Sequence, residues 1–121
     1  MTRVLIVDDQ PDFRRHLRRM LTYAGLTVVG EAGSIVEAEA LVQALQPDLA
    51  VVDVVMPEIN GLRGTPRLKS LAPGMRVILL SAYRDRAELY RRAAEEAGAE
   101  AFISKDDLDV EVVRAWRKDQ P

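Results

Sequence analysis

Cysteine is absent from the 121 residues, so disulfides and thiolate-ligated metals are excluded. One histidine, His16, leaves no histidine-rich zinc site. Neither sign of charge dominates. The 17 basic and 19 acidic residues leave a net charge of −2, which argues against nucleic acid as the main partner. No apolar run approaches the length of a membrane span, so no membrane association is expected. The opening segment holds only four consecutive apolar residues, Val4–Val7, too few for a secretory signal core. What is present is globular: 48% hydrophobic and 30% charged residues exclude bulk disorder. The length is that of one ordinary domain, able to bury roughly two-thirds of its unfolded surface. We read 1–121 as a single cytoplasmic domain.

Five apolar runs punctuate the chain. Val4–Val7, Leu49–Val52 and Val77–Leu80 are continuous rather than alternating, as in strands buried on both faces of a parallel sheet. Thr27–Val29 and Ala101–Ile103 are shorter, which places them at the edges. Between the runs lie helical patterns. Phe13, Leu17, Met20, Leu21 and Ala24 recur at three- and four-residue spacing from Pro11 to Ala24, with Gly25 just past the end. Ser34 and Glu37 read as a capping box opening a helix that stops before Pro47. A third helix covers Leu62–Leu71, with Pro66 inside it. Either it starts late on a Thr65 cap or its first turn is distorted. A fourth runs from Asp85 to Ala97, and a fifth from about Leu108 to Trp116. The resulting βαβαβαβαβα alternation predicts right-handed crossovers and helices on both sheet faces. The fold class expected is α/β, a flavodoxin-like three-layer (βα)5 sandwich with strand order 2-1-3-4-5 and ligands at the carboxyl ends of the strands.

Chemistry collects at that rim. The first strand leads into Asp8-Asp9, the third ends in Asp53, the fourth in Ser81 and the fifth in Ser104-Lys105. Asp8 and Asp9 alone would read as helix caps. Three carboxylates meeting at about 4–5 Å repel by roughly 3–4 kcal/mol per pair at an effective dielectric of about 20, so something cationic should offset them. Oxygen-only ligands suit Mg²⁺ or Mn²⁺ rather than zinc. With Lys105 as a fixed cation and Ser81 as a hydroxyl donor, the set forms a receptor for a phosphoryl group.

The sequence resembles the receiver domains of two-component response regulators over nearly its whole length. The resemblance rests on Val4–Asp9 (VLIVDD), Asp53-Val54-Val55-Met56-Pro57 with Gly61, Ser81-Ala82 and Lys105. It implies that Asp53 is the phosphoacceptor, served by a sensor histidine kinase or a phosphotransfer protein. Asp9, Asp53 and the backbone carbonyl of Val55 would hold Mg²⁺, with Asp8 on a metal-bound water. Ser81 would hydrogen-bond the phosphoryl oxygens, Lys105 would pair with them, and Phe102 falls at the family's aromatic switch position. Such a domain is no metabolic enzyme: it catalyses only its own phosphorylation and dephosphorylation. Asp106 stands where the family often has proline. With Phe102-Ile103-Ser104-Lys105, this leans toward the receivers of LuxR-type regulators. The resemblance further implies a switching surface of helix four, strand five and helix five. Arg84, Arg86, Arg91 and Arg92 alternate there with Glu88, Glu95 and Glu96, a pattern that suits a phosphorylation-dependent homodimer.

Rival chemistries fit less well. A haloacid dehalogenase-type phosphatase needs an Asp-x-Asp pattern on strand one and a cap insert, whereas Asp8 and Asp9 are adjacent. A flavin or cobalamin domain needs a phosphate-cradling glycine loop or a cobalt-ligating histidine. Arg14, Arg15, Arg18 and Arg19 read as the solvated side of the first helix ahead of a docking patch, and His16 as a surface residue. Trp116 either covers the sheet or faces a partner. Val55 and Tyr83 are the residues placed to control water at the phosphoryl group. Neither valine nor a bulky tyrosine is expected to orient it, which predicts a long-lived phosphorylated state.

Overall fold

In the computed structural model, which describes residues 1–82 and 87–118, the chain runs through ten regular elements. In order they are β1 (Arg3–Val7), α1 (Pro11–Tyr23), β2 (Thr27–Ala32), α2 (Ile35–Leu45), β3 (Leu49–Asp53), α3 (Gly61–Leu71), β4 (Arg76–Ser81), α4 (Ala87–Ala97), β5 (Ala101–Ser104) and α5 (Val110–Arg114). A short 3-10 turn, Lys105–Asp107, links β5 to α5. The strands form one parallel sheet in the order β2-β1-β3-β4-β5, as the alternation predicted. Among the described residues, no helix is long and apolar enough to cross a membrane.

Each central strand is buried on both faces, so its successive side chains feed two separate cores. Leu5, Val7, Ala50, Val52, Val77 and Leu79 point toward α2, α3 and Phe102. Val4, Ile6, Leu49, Val51, Ile78 and Leu80 point toward Leu17 and Leu21 of α1 and Val113 of α5. Trp116 joins this second core at 6% exposure, so it covers the sheet. The carbonyl of Trp116 also accepts from Arg76 Nη1 at 2.7 Å.

Several boundaries differ from expectation, each for a local reason. β2 continues through Gly30 and Glu31 to Ala32, because an edge strand can carry a polar side chain that finds partners. Glu31 binds Arg14 at 3.1 Å and Arg18 at 2.6 Å. Those two arginines are therefore tied to the sheet edge, Arg14 partly buried and Arg18 still exposed, while Arg15 and Arg19 are exposed without a bond to Glu31. α3 begins at Gly61, with the Asn60 side chain accepting from Arg63 N at 2.8 Å, so Thr65 is no cap. Pro66 sits inside the helix. One residue before it, the buried Thr65 hydroxyl donates to the Gly61 carbonyl at 2.7 Å. α5 starts after Leu108 because Asp109 caps it, accepting from Val112 N at 2.8 Å, and it ends at Arg114 rather than Trp116. Ser34 accepts from Glu37 N at 3.1 Å, while the Glu37 carboxylate reaches the neighbouring Gly33 N at 3.3 Å. The expected start of helix four at Asp85 lies outside the described residues, as do Tyr83, Arg84 and Arg86.

Candidate functional site

The sheet register brings the acidic residues together. Val7 pairs with Val52, so the chain leaving β1 at Asp8 stands beside Asp53 at the end of β3. Asp53 pairs with Leu80, and Ser81 pairs with Ser104, which sets Ser81 and Lys105 along the same rim. One carboxylate oxygen each from Asp8, Asp9 and Asp53 lies within 4.8 Å of the others. Asp8 and Asp53 are buried, whereas Asp9 is exposed. Asp8 Oδ1 accepts from Gln10 N at 2.8 Å. α1 has no side-chain cap bond, so the capping explanation of the Asp8-Asp9 pair does not account for the cluster.

Lys105 closes the site from the turn that follows β5. Its ammonium lies 2.8 Å from Asp8 Oδ2 and 3.4 Å from Asp53 Oδ2, and its side chain is only 12% exposed. Burial pushes the Asp53 carboxyl up to about 6 from its ordinary 3.8. The Lys105 charge opposes that shift and the Asp8 charge adds to it. A second cation there would favour the ionised carboxylate, as the Lys105 charge does. Three oxygen donors around a single ammonium form a hard-ligand set that fits a small divalent cation.

The loop after β3 is shaped by close approach. Gly61 N donates to the Val54 carbonyl at 2.8 Å. A Cβ on Gly61 would stand 2.3 Å from the Asp53 carbonyl oxygen, so only glycine lets α3 start this close to the site. The Val55 N–H donates to Asp53 Oδ1 at 3.4 Å, which turns the Val55 backbone around the carboxylate. Val55 is 45% exposed.

Ser81 is buried at the end of β4, one residue after the strand partner of Asp53. Phe102 is 6% exposed, packed beside Tyr90 with ring centroids 6.2 Å apart. The Arg91 guanidinium lies 5.6 Å from the Phe102 ring centroid, and its Nη1 donates to the Phe102 carbonyl at 3.4 Å. The Phe102 ring already occupies an inward position here.

Two contributors were not legible as site residues. Arg14 donates from Nη1 to the Asp8 carbonyl while its Nε binds Glu31, which ties the site loop to the sheet edge. Burial alone would raise the Glu31 carboxyl, but hydrogen bonds and charge from Arg18 and Arg14 outweigh it and hold it below the usual range. Phe13 read as a core position of α1, yet its ring centroid lies 4.0 Å from Lys105 Nζ. The available signal was its place on the first turn after Asp8-Asp9; its contact spans most of the chain, and no local pattern reports that.

Comparison with known proteins agrees with this geometry. The sequence matches the family described as the response regulator receiver domain over residues 4–115. It is 42% identical to the DNA-binding transcriptional activator DevR/DosR of Mycobacterium tuberculosis, over 95% of this chain and 52% of that protein. It is 37% identical to the chemotaxis protein CheY of Thermotoga maritima, over 96% of this chain and 95% of that one. Among solved structures, it superposes on a response regulator protein from Burkholderia pseudomallei with a TM-score of 0.84 and 26% identity. That match covers 98% of this chain and 68% of the other, which carries a phosphorylated aspartic acid, a calcium ion and citrate. The chain thus spans about half the length of some curated relatives, DevR/DosR among them, and nearly all of CheY. With the family match over most of its length and Asp8, Asp9, Asp53 and Lys105 gathered on one rim, this chain belongs to the response regulator receiver domain family.

Proposed function

We propose that Asp53 is the phosphoacceptor of this receiver and takes its phosphoryl group from a sensor histidine kinase or phosphotransfer protein in the cytoplasm. The observation that carries this reading is the convergence of Asp8, Asp9 and Asp53 within 4.8 Å, with Lys105 held against two of them. The phosphorylated aspartic acid of the Burkholderia pseudomallei neighbour supports it. Asp8, Asp9, Asp53 and the Val55 carbonyl would hold Mg²⁺, or Mn²⁺, which when bound neutralises charge on the phosphoryl oxygens.

An oxygen of the Asp53 carboxylate attacks the phosphorus of a phosphohistidine as the phosphorus–nitrogen bond breaks. The product is an aspartyl phosphate, and the imidazole departs with the electron pair and takes a proton from solvent. Lys105 supplies a fixed cation for the added negative charge, and Ser81 a hydroxyl for the phosphoryl oxygens. Ser81 on β4 and Phe102 on β5 lie on adjacent strands, so a shift at the first biases the packing of the second and of α4. A phosphoryl group drives that shift only by binding one of the two states better. On this reading residues 1–121 form one such switching domain.

The direct test is incubation with Mg²⁺ and acetyl phosphate followed by intact mass. One phosphoryl group is expected, and none would refute the reading. On α4, Arg91 pairs with Glu88 at 3.9 Å and sits among Arg92, Glu95 and Glu96, charges of both signs that suit a second copy of this face. Sedimentation velocity with and without beryllofluoride is expected to show a dimer only with it; an unchanged monomer would remove the dimer and leave the switch.

Lifetime should depend on Val55. Its exposed side chain, two residues after Asp53, has no polar atom to orient a hydrolytic water. Val55→Asn is expected to hasten loss of the phosphoryl group by roughly 3- to 10-fold, the scale of one well-placed hydrogen bond. The comparison is a dephosphorylation time course beside the wild type, and equal rates would show that this side chain does not govern water access.

A further inference from the structure

We infer that Phe13 is a positioning residue for phosphoryl binding, acting through Lys105. The inference rests on the phosphoacceptor reading above and adds a partner to its lysine.

A lysine ammonium is a compact charge on a flexible four-carbon stem, with three donors and strong hydration. At this site only 12% of the side chain is exposed, and the ammonium has exchanged part of its water for protein. The two carboxylate contacts are unequal, 2.8 Å to Asp8 and 3.4 Å to Asp53. The third neighbour is the face of Phe13, whose centroid is 4.0 Å from Nζ. That is well inside the range over which a cation is drawn to the negative face of an aromatic ring, and the attraction strengthens where water is excluded.

The ring is itself held in place. Phe13 is half-buried on the first turn of α1 and packs against the core containing Leu17 and Leu21. Its other neighbour is the His16 ring, 6.3 Å away. The next residue, Arg14, anchors the same turn through the Asp8 carbonyl and Glu31. The ring is therefore a fixed wall for Lys105, and an uncharged one.

That combination has a mechanistic consequence. A third carboxylate in the ring's place would bind the ammonium in one direction and add to the negative charge a phosphoryl group must meet. Attraction to a ring face is only weakly directional, so Lys105 can swing from Asp8 toward oxygens on Asp53 without losing it. Phe13 thus keeps the ammonium ordered and desolvated over the short path it must travel. An aliphatic side chain of similar size would fill the space without attracting the charge.

The test uses the intact chain with Phe13→Leu, Phe13→Tyr and the wild type. In metal-free protein, the Lys105 Hε resonances are expected to be displaced upfield by the ring, a displacement lost in Phe13→Leu and kept in Phe13→Tyr. At saturating Mg²⁺, beryllofluoride serves as the phosphoryl probe, with affinity read by calorimetry. Phe13→Leu is expected to bind it roughly 3- to 10-fold more weakly, with Phe13→Tyr restoring near wild-type affinity. Mg²⁺ affinity without the probe should change by less than about twofold, because Phe13 offers no ligand atom and merely structural damage to the carboxylate cluster would move it. Wild-type affinity for beryllofluoride in Phe13→Leu, or equal losses in the leucine and tyrosine variants, would overturn the inference. Failure of the wild type to bind beryllofluoride with Mg²⁺ would instead overturn the phosphoacceptor reading and this inference with it.

Discussion

Asp53→Asn is expected to take up no phosphoryl group from acetyl phosphate, and yet to be more stable than the wild type when metal is removed. The first result follows from chemistry: an amide oxygen at this position is too poor a nucleophile to form the acyl phosphate. The second follows from burial. The Asp53 carboxyl is raised to about 6, chiefly because the ionised form is desolvated, and Lys105 only partly offsets this. A carboxyl with a raised folded-state pKa contributes stability that is fully present below its unfolded value of 3.8 and is lost as pH rises through about 6. Above that, the metal-free wild type holds an ionised carboxylate at a cost of about 2–3 kcal/mol, which the neutral asparagine avoids. The advantage of Asp53→Asn should therefore be largest near pH 7 and vanish toward pH 4. Urea denaturation of both proteins in chelator across that range is the measurement. A constant difference would show that the ionised Asp53 is not destabilising. Asparagine leaves Lys105 its shorter contact to Asp8, so the variant does not strand the cation.

Gly61→Ala is expected to destabilise the domain by about 3 kcal/mol and to lower phosphorylation well beyond what the remaining folded fraction explains. The added methyl would stand 2.3 Å from the Asp53 carbonyl oxygen and 3.1 Å from Leu79 Cδ2. The first of these is backbone and has no rotamer by which to retreat. Relief requires α3 to back away from β3, which stretches the 2.8 Å bond between Gly61 N and the Val54 carbonyl. That bond closes the loop carrying Val55, so strain at Gly61 reaches the carboxylate that the Val55 N–H supports. Gly74→Ala is the control, because a Cβ there meets nothing within 4 Å. Thermal unfolding and acetyl phosphate labelling of both variants test the point. Equal behaviour would show that the approach of α3 does not shape the site.

These expectations draw on two kinds of information. The continuous apolar runs at Val4, Leu49 and Val77 read as strands buried on both faces, and their alternation with helical patterns points to a doubly covered parallel sheet. The βα alternation then implies a rim where the strands end, and Asp8, Asp9, Asp53, Ser81 and Lys105 are all placed there by counting along the strands. These features are local or periodic, so they are written in the chain. Boundaries followed local chemistry that competes closely, as where Asn60 rather than Thr65 caps α3 and where Glu31 stays in a strand because Arg14 and Arg18 reach it. Arg14 was legible only as one of four helix-one arginines, since its bonds to the Asp8 carbonyl and Glu31 depend on how α1 lies across two strands. Only the tertiary structure decided that Lys105 favours Asp8 over Asp53, that Phe13 faces the ammonium and that α3 touches the Asp53 backbone. The Lys105 contacts join residues far apart in the chain, the approach of α3 to Asp53 closes a short loop, and all of them depend on ångström-scale packing. Pattern and period place residues on a rim but carry no information about distance across it.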